Sequence, residues 1–322
     1  MAGLGVYEDL LESLPSLRGE LDATPRAVSD WTAIRPGEPG PHRVAAMIIG
    51  GHPFAAATLD LFPELRILVR AGIGLDLIDL DHAARRGIRV VNTPGYGTEE
   101  VADQALLLML AAARRLPHFA GQATGNWLAV DYSRVRRLRG ATLGVIGLGA
   151  IGSAFADRAE ALGLRIVYTD PVVEPPSPRR ERLELPELLA ASDLISLHAP
   201  LTEQTRHLLD APAFARMTRC PVIINTARGG LIDSAALLAA LAEGRIAAAG
   251  LDVVEGEPEP PRALIDHPAV IVTPHVAWYS EESRRDMARL AVTAAVAGIA
   301  SAEGDRAGTP AADLILEKES RS

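Results

Sequence analysis

Six aliphatic runs in the second half of the chain stop at polar or glycine-rich residues, near Gly147, Asp170, His198, Asn225, Asp252 and Thr273. The intervals between the stops are 23, 28, 27, 27 and 21 residues, the length of one strand plus one crossover helix. Few architectures accept that rhythm. Parallel strands need a helical return between them, and both faces of their sheet are then covered, so each strand reads as a continuous apolar run. The spacing predicts an α/β chain built on a doubly wound parallel sheet. A smaller α/β layer precedes it, with strands expected at Val44–Ile49, Arg66–Arg70 and Arg89–Asn92 and helices near Ala55–Leu61 and Leu77–Arg86.

The long apolar segment Glu99–Leu116 separates the two layers, and a helical pattern from Glu281 to Ala300 follows the last strand. If that helix returns to the first layer, the small domain is discontinuous: residues 1–98 and 282–322, with residues 99–281 inserted as the second domain. Two domains also suit 322 residues. Val6 to Leu21 reads as helix, and no first strand is legible between Met1 and Asp30. Stretches rich in Pro and Gly at Arg35–Arg43, Pro171–Arg179 and Gly256–Arg262 read as loops.

Composition narrows the chemistry. A net charge of −9 and the lack of a Lys/Arg cluster argue against nucleic acid, whose affinity rests on phosphate neutralisation. The longest apolar run, Ala105 to Ala113, has nine residues, about half a bilayer span, and no basic-then-apolar leader opens the sequence, so a cytosolic location is expected. Cys220 is the only cysteine, which excludes an internal disulfide and a CxxC metal or redox site. Lys318, in the polar tail, is the only lysine, which excludes a Gly-Lys-Ser/Thr phosphate loop and argues against Schiff-base chemistry. No metal site is expected.

The sharpest motif is Gly147-Leu148-Gly149-Ala150-Ile151-Gly152, preceded by the aliphatic run Leu143–Ile146 and followed by Ile151, Phe155, Ala159 and Leu162 at helical spacing. A strand, a glycine turn and a helix in this order make a dinucleotide-binding fingerprint. Gly147 makes the tight turn, Gly149 admits a pyrophosphate to the backbone amides that continue through Ala150 and Ile151, and Gly152 allows close helix packing. Asp170 ends the next strand, eighteen residues after Gly152. A carboxylate there accepts the adenosine ribose hydroxyls and repels a 2′-phosphate, and Pro171-Val172-Val173-Glu174 offers no cation to such a phosphate. NAD is therefore expected and NADP disfavoured.

Ligands of open α/β sheets bind beyond the carboxyl ends of the strands. The ends here read His198-Ala199-Pro200-Leu201-Thr202, Asn225-Thr226-Ala227-Arg228-Gly229-Gly230, Asp252 followed by Glu255-Gly256-Glu257-Pro258, and Thr273-Pro274-His275-Val276-Ala277-Trp278. With Gly72-Ile73-Gly74-Leu75-Asp76 and the glycine turn, and in this order, they resemble the D-isomer-specific 2-hydroxyacid dehydrogenase family over roughly Leu65 to Ala300.

The resemblance implies two Rossmann-like domains, a flavodoxin-like substrate (catalytic) domain and an NAD-binding one. It implies His275 as general acid/base, Glu257 as its carboxylate partner, and Arg228 as the cation that holds the substrate carboxylate and polarises the carbonyl. Each role suits its residue: imidazole titrates near neutrality, an adjacent carboxylate favours its proton-donating form, and guanidinium offers paired donors with a permanent charge. By the same likeness His198, Pro200, Thr205, Thr226 and His275 line the cofactor groove, and Asp252 accepts from the nicotinamide carboxamide. The amides of Gly72, Ile73 and Gly74 receive the substrate carboxylate. Arg70 either adds charge there or serves a domain interface, and Trp278 either walls the substrate side chain or packs between the domains.

The Trp278 region is similar to the C-terminal-binding-protein branch and to glycerate/hydroxypyruvate dehydrogenases. The implied activity is NAD-dependent hydride transfer between a 2-hydroxy and a 2-keto acid, running mainly as reduction. The alternative is an NAD(H)-sensing scaffold or corepressor. Ala105–Ala113 is apolar on every helical face and must be covered, and the family commonly dimerises through its cofactor domain, so a homodimer is expected.

Overall fold

The computed structural model describes residues 3–23, 31–35, 44–123, 135–173 and 179–304. Parts of the expected loops (36–43 and 174–178) and the tail with Lys318 lie outside them. The chain divides into two compact units, Met1–Tyr96 with Ser280–Ser322, and Gly97–Tyr279.

The first unit holds strands β1 (Gly3–Tyr7), β2 (Trp31–Ile34), β3 (Val44–Ile49), β4 (Ile67–Arg70) and β5 (Arg89–Val91), with helices α1 (Glu8–Ser13), α2 (Pro15–Ala23), α3 (Ala56–Asp60) and α4 (Leu80–Arg85). The strands are parallel in the order β2-β1-β3-β4-β5, the flavodoxin-like order. The N-terminal segment corrects the helical reading of Val6–Leu21. Gly3–Tyr7 is a strand, and Leu10, Leu14, Leu17 and Leu21 bury the inner side of two short helices that part before Pro15.

The second unit holds α5 (Thr98–Ala113), α6 (Leu116–Gln122), β6 (Thr142–Ile146), α7 (Ala150–Ala161), β7 (Arg165–Thr169), β8 (Glu181–Arg182), α8 (Leu185–Ala191), β9 (Leu194–Leu197), α9 (Ala211–Ala215), β10 (Val222–Asn225), α10 (Ser234–Ala242), β11 (Ala248–Leu251), α11 (Arg262–Ile265) and β12 (Val270–Val272). All pairings are parallel, in the order β12-β11-β10-β9-β6-β7-β8, a doubly wound sheet that reverses direction between β6 and β9. Successive residues of one strand bury on opposite faces: Ile195 and Ile223 on one, Leu194, Val222 and Ile224 on the other. Each such side chain contributes about 1.5–3 kcal/mol, which is why the strands read as unbroken apolar runs. The final helix, α12 (Glu281–Gly304), belongs to the first unit and packs on α2, β3 and β4. At Gly298 a Cβ would lie 2.2 Å from Ile67 Cδ1, so only glycine permits that approach.

The apolar helix α5 buries Ala105, Leu108, Met109 and Ala112, but Leu107 is 55% exposed in the single chain. No described helix is long and apolar enough to cross a membrane. Among the described residues no group of three or more His, Cys, Asp or Glu is placed to hold a metal ion.

Candidate active site

The three glycines of the fingerprint do three different things. Gly147 has φ +90°, and a Cβ there would lie 2.8 Å from the carbonyl carbon of His198, so the turn passes against the end of β9. At Gly152 a Cβ would lie 2.1 Å from the Gly147 carbonyl oxygen, which fixes the first turn of α7 against the loop. Gly149 has open space where a Cβ would stand. The helix N-terminus behind it, with the amides of Ala150 and Ile151, is thus approachable by an anion, as a pyrophosphate requires. A further mark of a ligand groove is Thr226, 8% exposed just beyond β10, whose hydroxyl has no partner among the described residues. These features fit a dinucleotide.

Asp170, one residue beyond β7, accepts the Leu148 amide on Oδ2 at 2.8 Å and the amides of Val172 and Val173 on Oδ1 at 2.9 and 2.8 Å. Burial alone would raise its carboxyl, but those three N–H donors and the charge of Arg182 outweigh burial and hold it below the ordinary value. It is an anion at neutral pH, and it also shapes the glycine loop.

After β9, the Thr205 hydroxyl donates to the Pro200 carbonyl (2.6 Å) and accepts the Thr202 amide (2.8 Å), closing the loop on itself. The His198 ring packs 5.1 Å from Phe155 and its Nε2 lies 2.9 Å from Ser196 Oγ. Taken whole the residue is half-buried, yet its ring is enclosed deeply enough that burial pushes its pKa from 6.5 down to about 3. The unfolded chain therefore binds a proton that the folded chain does not, and stability is lost as pH falls from about 6.5 toward about 3. Between pH 7 and pH 5 this one ring removes about 2 kcal/mol. Urea unfolding of wild type and His198→Gln at the two pH values is expected to show that part of the acid sensitivity disappear.

Three neighbouring strand ends build the acid–base group. Beyond β10, Asn225 Nδ2 donates to the Arg228 carbonyl (2.8 Å) and Asn225 Oδ1 accepts the Ala227 amide (3.0 Å), folding the turn that presents Arg228. Arg228 Nη1 donates to the Ala227 carbonyl at 2.6 Å. Beyond β11, Glu257 accepts the Val254 amide on Oε1 (2.7 Å) and meets His275 Nδ1 through Oε2 (2.8 Å). Burial would raise the Glu257 carboxyl, but the bonds from His275 and Val254 and the charges of His275 and Arg228 prevail and lower it. Arg228, Glu257 and His275 are thus brought together.

Beyond β12, His275 adopts φ +54°, a left-handed conformation uncommon for a side chain of its kind. Asp252, 1% exposed, holds it there: its backbone carbonyl accepts the His275 amide (2.9 Å), and its carboxylate accepts the amides of Val276 (3.1 Å) and Ala277 (2.8 Å) and the Thr273 hydroxyl. Gln104 donates to that hydroxyl at 3.2 Å. Asp252 so serves the histidine turn as well as any cofactor amide, since a carboxylate offers about four acceptor sites. Gln104 escapes sequence reasoning, for it stands in an apolar helix far from the blocks that mark the site, while Thr273 is marked only as a strand end and its hydroxyl's bond to Asp252 is not.

The remaining candidates sit elsewhere. Arg70, Gly72, Ile73 and Gly74 follow β4 in the first unit. The Gly72 amide donates to Thr93 Oγ1 (2.8 Å), while among the described residues the amides of Ile73 and Gly74 have no protein acceptor. The Arg70 guanidinium stands where a Gly72 Cβ would be, which with φ +141° explains the glycine. Trp278 belongs to the second unit, its ring edge-to-face with Tyr279 at 5.9 Å and its backbone against Gly97.

Residues 106–277 match the family described as D-isomer specific 2-hydroxyacid dehydrogenase, NAD binding domain. A hydroxypyruvate reductase of Thermotoga maritima is 43% identical over 234 residues, 71% of this chain and 76% of the relative. Among solved structures, the NADPH-dependent glyoxylate/hydroxypyruvate reductase from Sinorhizobium meliloti, in complex with NADP and malonate, aligns with TM-score 0.80 at 31% identity, covering 95% of this chain and 94% of the other. D-lactate dehydrogenase from Aquifex aeolicus, complexed with NAD and lactic acid, aligns with TM-score 0.80 at 26% identity over 95% and 96%. Because the family match runs through every strand end that carries the site, the chain belongs to the D-isomer-specific 2-hydroxyacid dehydrogenases, oxidoreductases that act on CH–OH donors through a nicotinamide cofactor.

Proposed function

We propose that this dehydrogenase is an NADH-preferring, cytosolic, homodimeric reductase of small 2-keto acids such as glyoxylate and hydroxypyruvate. The first unit would be its substrate domain and the second its cofactor domain. The observation that carries the reading is the Glu257–His275 contact at 2.8 Å with Arg228 close enough to lower the Glu257 carboxyl. Nδ1 of His275 is taken by Glu257, so Nε2 faces the substrate oxygen and delivers the proton. Arg228 holds the substrate carboxylate through paired donors. When bound, the nicotinamide supplies the hydride to the carbonyl carbon. Hydride and proton together turn the 2-carbonyl into the 2-hydroxyl.

The substrate proposal draws on the two relatives named as hydroxypyruvate or glyoxylate/hydroxypyruvate reductases. Those names favour catalysis over a corepressor role and place the chain on the glycerate dehydrogenase-like side of the family. Preference for NADH rests on Asp170, an anion where NADPH would bring a 2′-phosphate. Initial rates with a panel of 2-keto acids, each with NADH and NADPH, test the reading. Reduction by NADH of glyoxylate or hydroxypyruvate is expected, and a panel without turnover sinks it. Asp170→Ala is expected to raise the NADH Kd about 10- to 100-fold and to leave NADPH binding unchanged or improved, measured by fluorescence titration. The exposed Leu107 on the apolar helix α5 supports a dimer, checked as twice the chain mass by light scattering.

A further inference from the structure

We propose that His207 is a positioning residue of the reductase: it fastens the loop that presents Arg228 to the loop that presents Glu257. The inference rests on the roles proposed above for Arg228, Glu257 and His275, and adds a residue that touches none of them directly. After β9 the chain runs beside the residues that follow Arg228. The His207 amide donates to the Gly230 carbonyl (2.8 Å), the Leu209 amide to the Leu231 carbonyl (3.0 Å), and the Asp233 amide to the Leu209 carbonyl (3.1 Å). The backbone of His207 thereby belongs to the Arg228 loop.

Its side chain belongs to the other. His207 Nε2 lies 2.7 Å from Glu255 Oε1, and reaching it the residue adopts φ +51°, a conformation that side-chain-bearing residues rarely hold. Glu255 follows Val254, whose amide is the anchor of Glu257 Oε1 at 2.7 Å. The next peptide, Val254–Glu255, is pressed by Gly229, where a Cβ would lie 2.2 Å from the Val254 carbonyl carbon and 2.5 Å from the Glu255 amide nitrogen. Gly229 provides contact without adhesion, since among the described residues no backbone hydrogen bond joins it to Val254 or Glu255. The His207–Glu255 pair supplies the adhesion. Without it the Val254–Glu255 peptide loses its tie to the Arg228 turn, and the Glu257 carboxylate, anchored on the adjoining Val254 amide, loses its fixed place opposite His275 Nδ1.

Both side chains are partly open, His207 at 38% and Glu255 at 35%, so their truncation removes a tie without opening a core. The test compares His207→Ala, His207→Gln and the double variant His207→Ala/Glu255→Ala, all verified as folded by circular dichroism. Gln carries a donor about as far from the backbone as Nε2. His207→Ala is expected to lower kcat for 2-keto acid reduction about tenfold with the NADH Kd unchanged, His207→Gln to recover it to within about threefold, and the double variant to lose no more than the single. The Glu257 carboxyl, followed by NMR in the cofactor-free protein, is expected to rise toward its ordinary value in His207→Ala, because the bonds from His275 and Val254 that lower it are loosened. An unmoved Glu257 titration, or a Gln variant as slow as Ala, overturns the proposal. That NMR readout needs no turnover, so it separates failure here from failure of the reductase reading, which the substrate panel reports.

Discussion

His275→Ala is expected to lower kcat for 2-keto acid reduction by about 10²- to 10⁴-fold, the span of a positioned general acid, while NADH binding changes little. The geometry explains why so much rests on one ring. Glu257 occupies Nδ1 at 2.8 Å, which selects the tautomer and leaves Nε2 as the only ring nitrogen able to give a proton to the substrate. Asp252 holds the backbone in the left-handed conformation that aims the ring. No nearby water-borne acid reproduces both constraints. The companion variant Glu257→Gln sets the sign of the pH effect. The lowered Glu257 carboxyl keeps a negative charge beside the ring, which favours the proton-donating form that the proposed reduction needs. Removing the charge moves the alkaline limb of the kcat/KM profile to lower pH. Wild-type turnover by His275→Ala, or a limb that stays in place in Glu257→Gln, would reassign the acid.

Much of this was readable before any coordinate. Strands β6, β7, β9, β10, β11 and β12 stop within one residue of the positions that their apolar runs indicate, because both faces of a parallel sheet are buried and only Ser196, itself buried, breaks the apolar interior of a run. The edge strand β8, two charged residues long, carries no such signal. Near the N-terminus the leucine spacing of Leu10, Leu14, Leu17 and Leu21 dominates and hides a five-residue strand that contains two glycines. In the site, Arg228, Glu257 and His275 stand in legible blocks. What holds them is not legible. Asp252 reaches forward 24 and 25 residues to two amides, Gln104 reaches 169 residues to Thr273, and His207 meets Glu255 across 48. Such pairs follow from strand order, which places distant strand ends side by side, and they leave no periodicity along the chain.

Arg228→Ala is expected to lower kcat/KM for a 2-keto acid by about 10³-fold, and Arg228→Lys to restore only a small part. The chain carries a net charge of −9, so an anionic substrate enters against the overall field and needs a local cation. Losing one partner of a charge-assisted pair costs about 2–5 kcal/mol, and a lysine brings back the charge without the planar fork that aligns the carboxylate and the adjacent carbonyl. A second effect travels through the protein. The Arg228 charge is among the causes that lower the Glu257 carboxyl, so its removal lets that group rise toward its ordinary value and weakens the hold on His275. Both kcat and KM are therefore expected to change, while NADH affinity, proposed to be set at the glycine turn and Asp170, is expected to stay within about threefold. The discriminating measurement pairs a 2-keto acid with its uncharged amide. Arg228→Ala penalises the acid far more than the amide if the guanidinium binds the carboxylate, whereas an equal fall for both would place Arg228 in the architecture of the loop and out of contact with substrate.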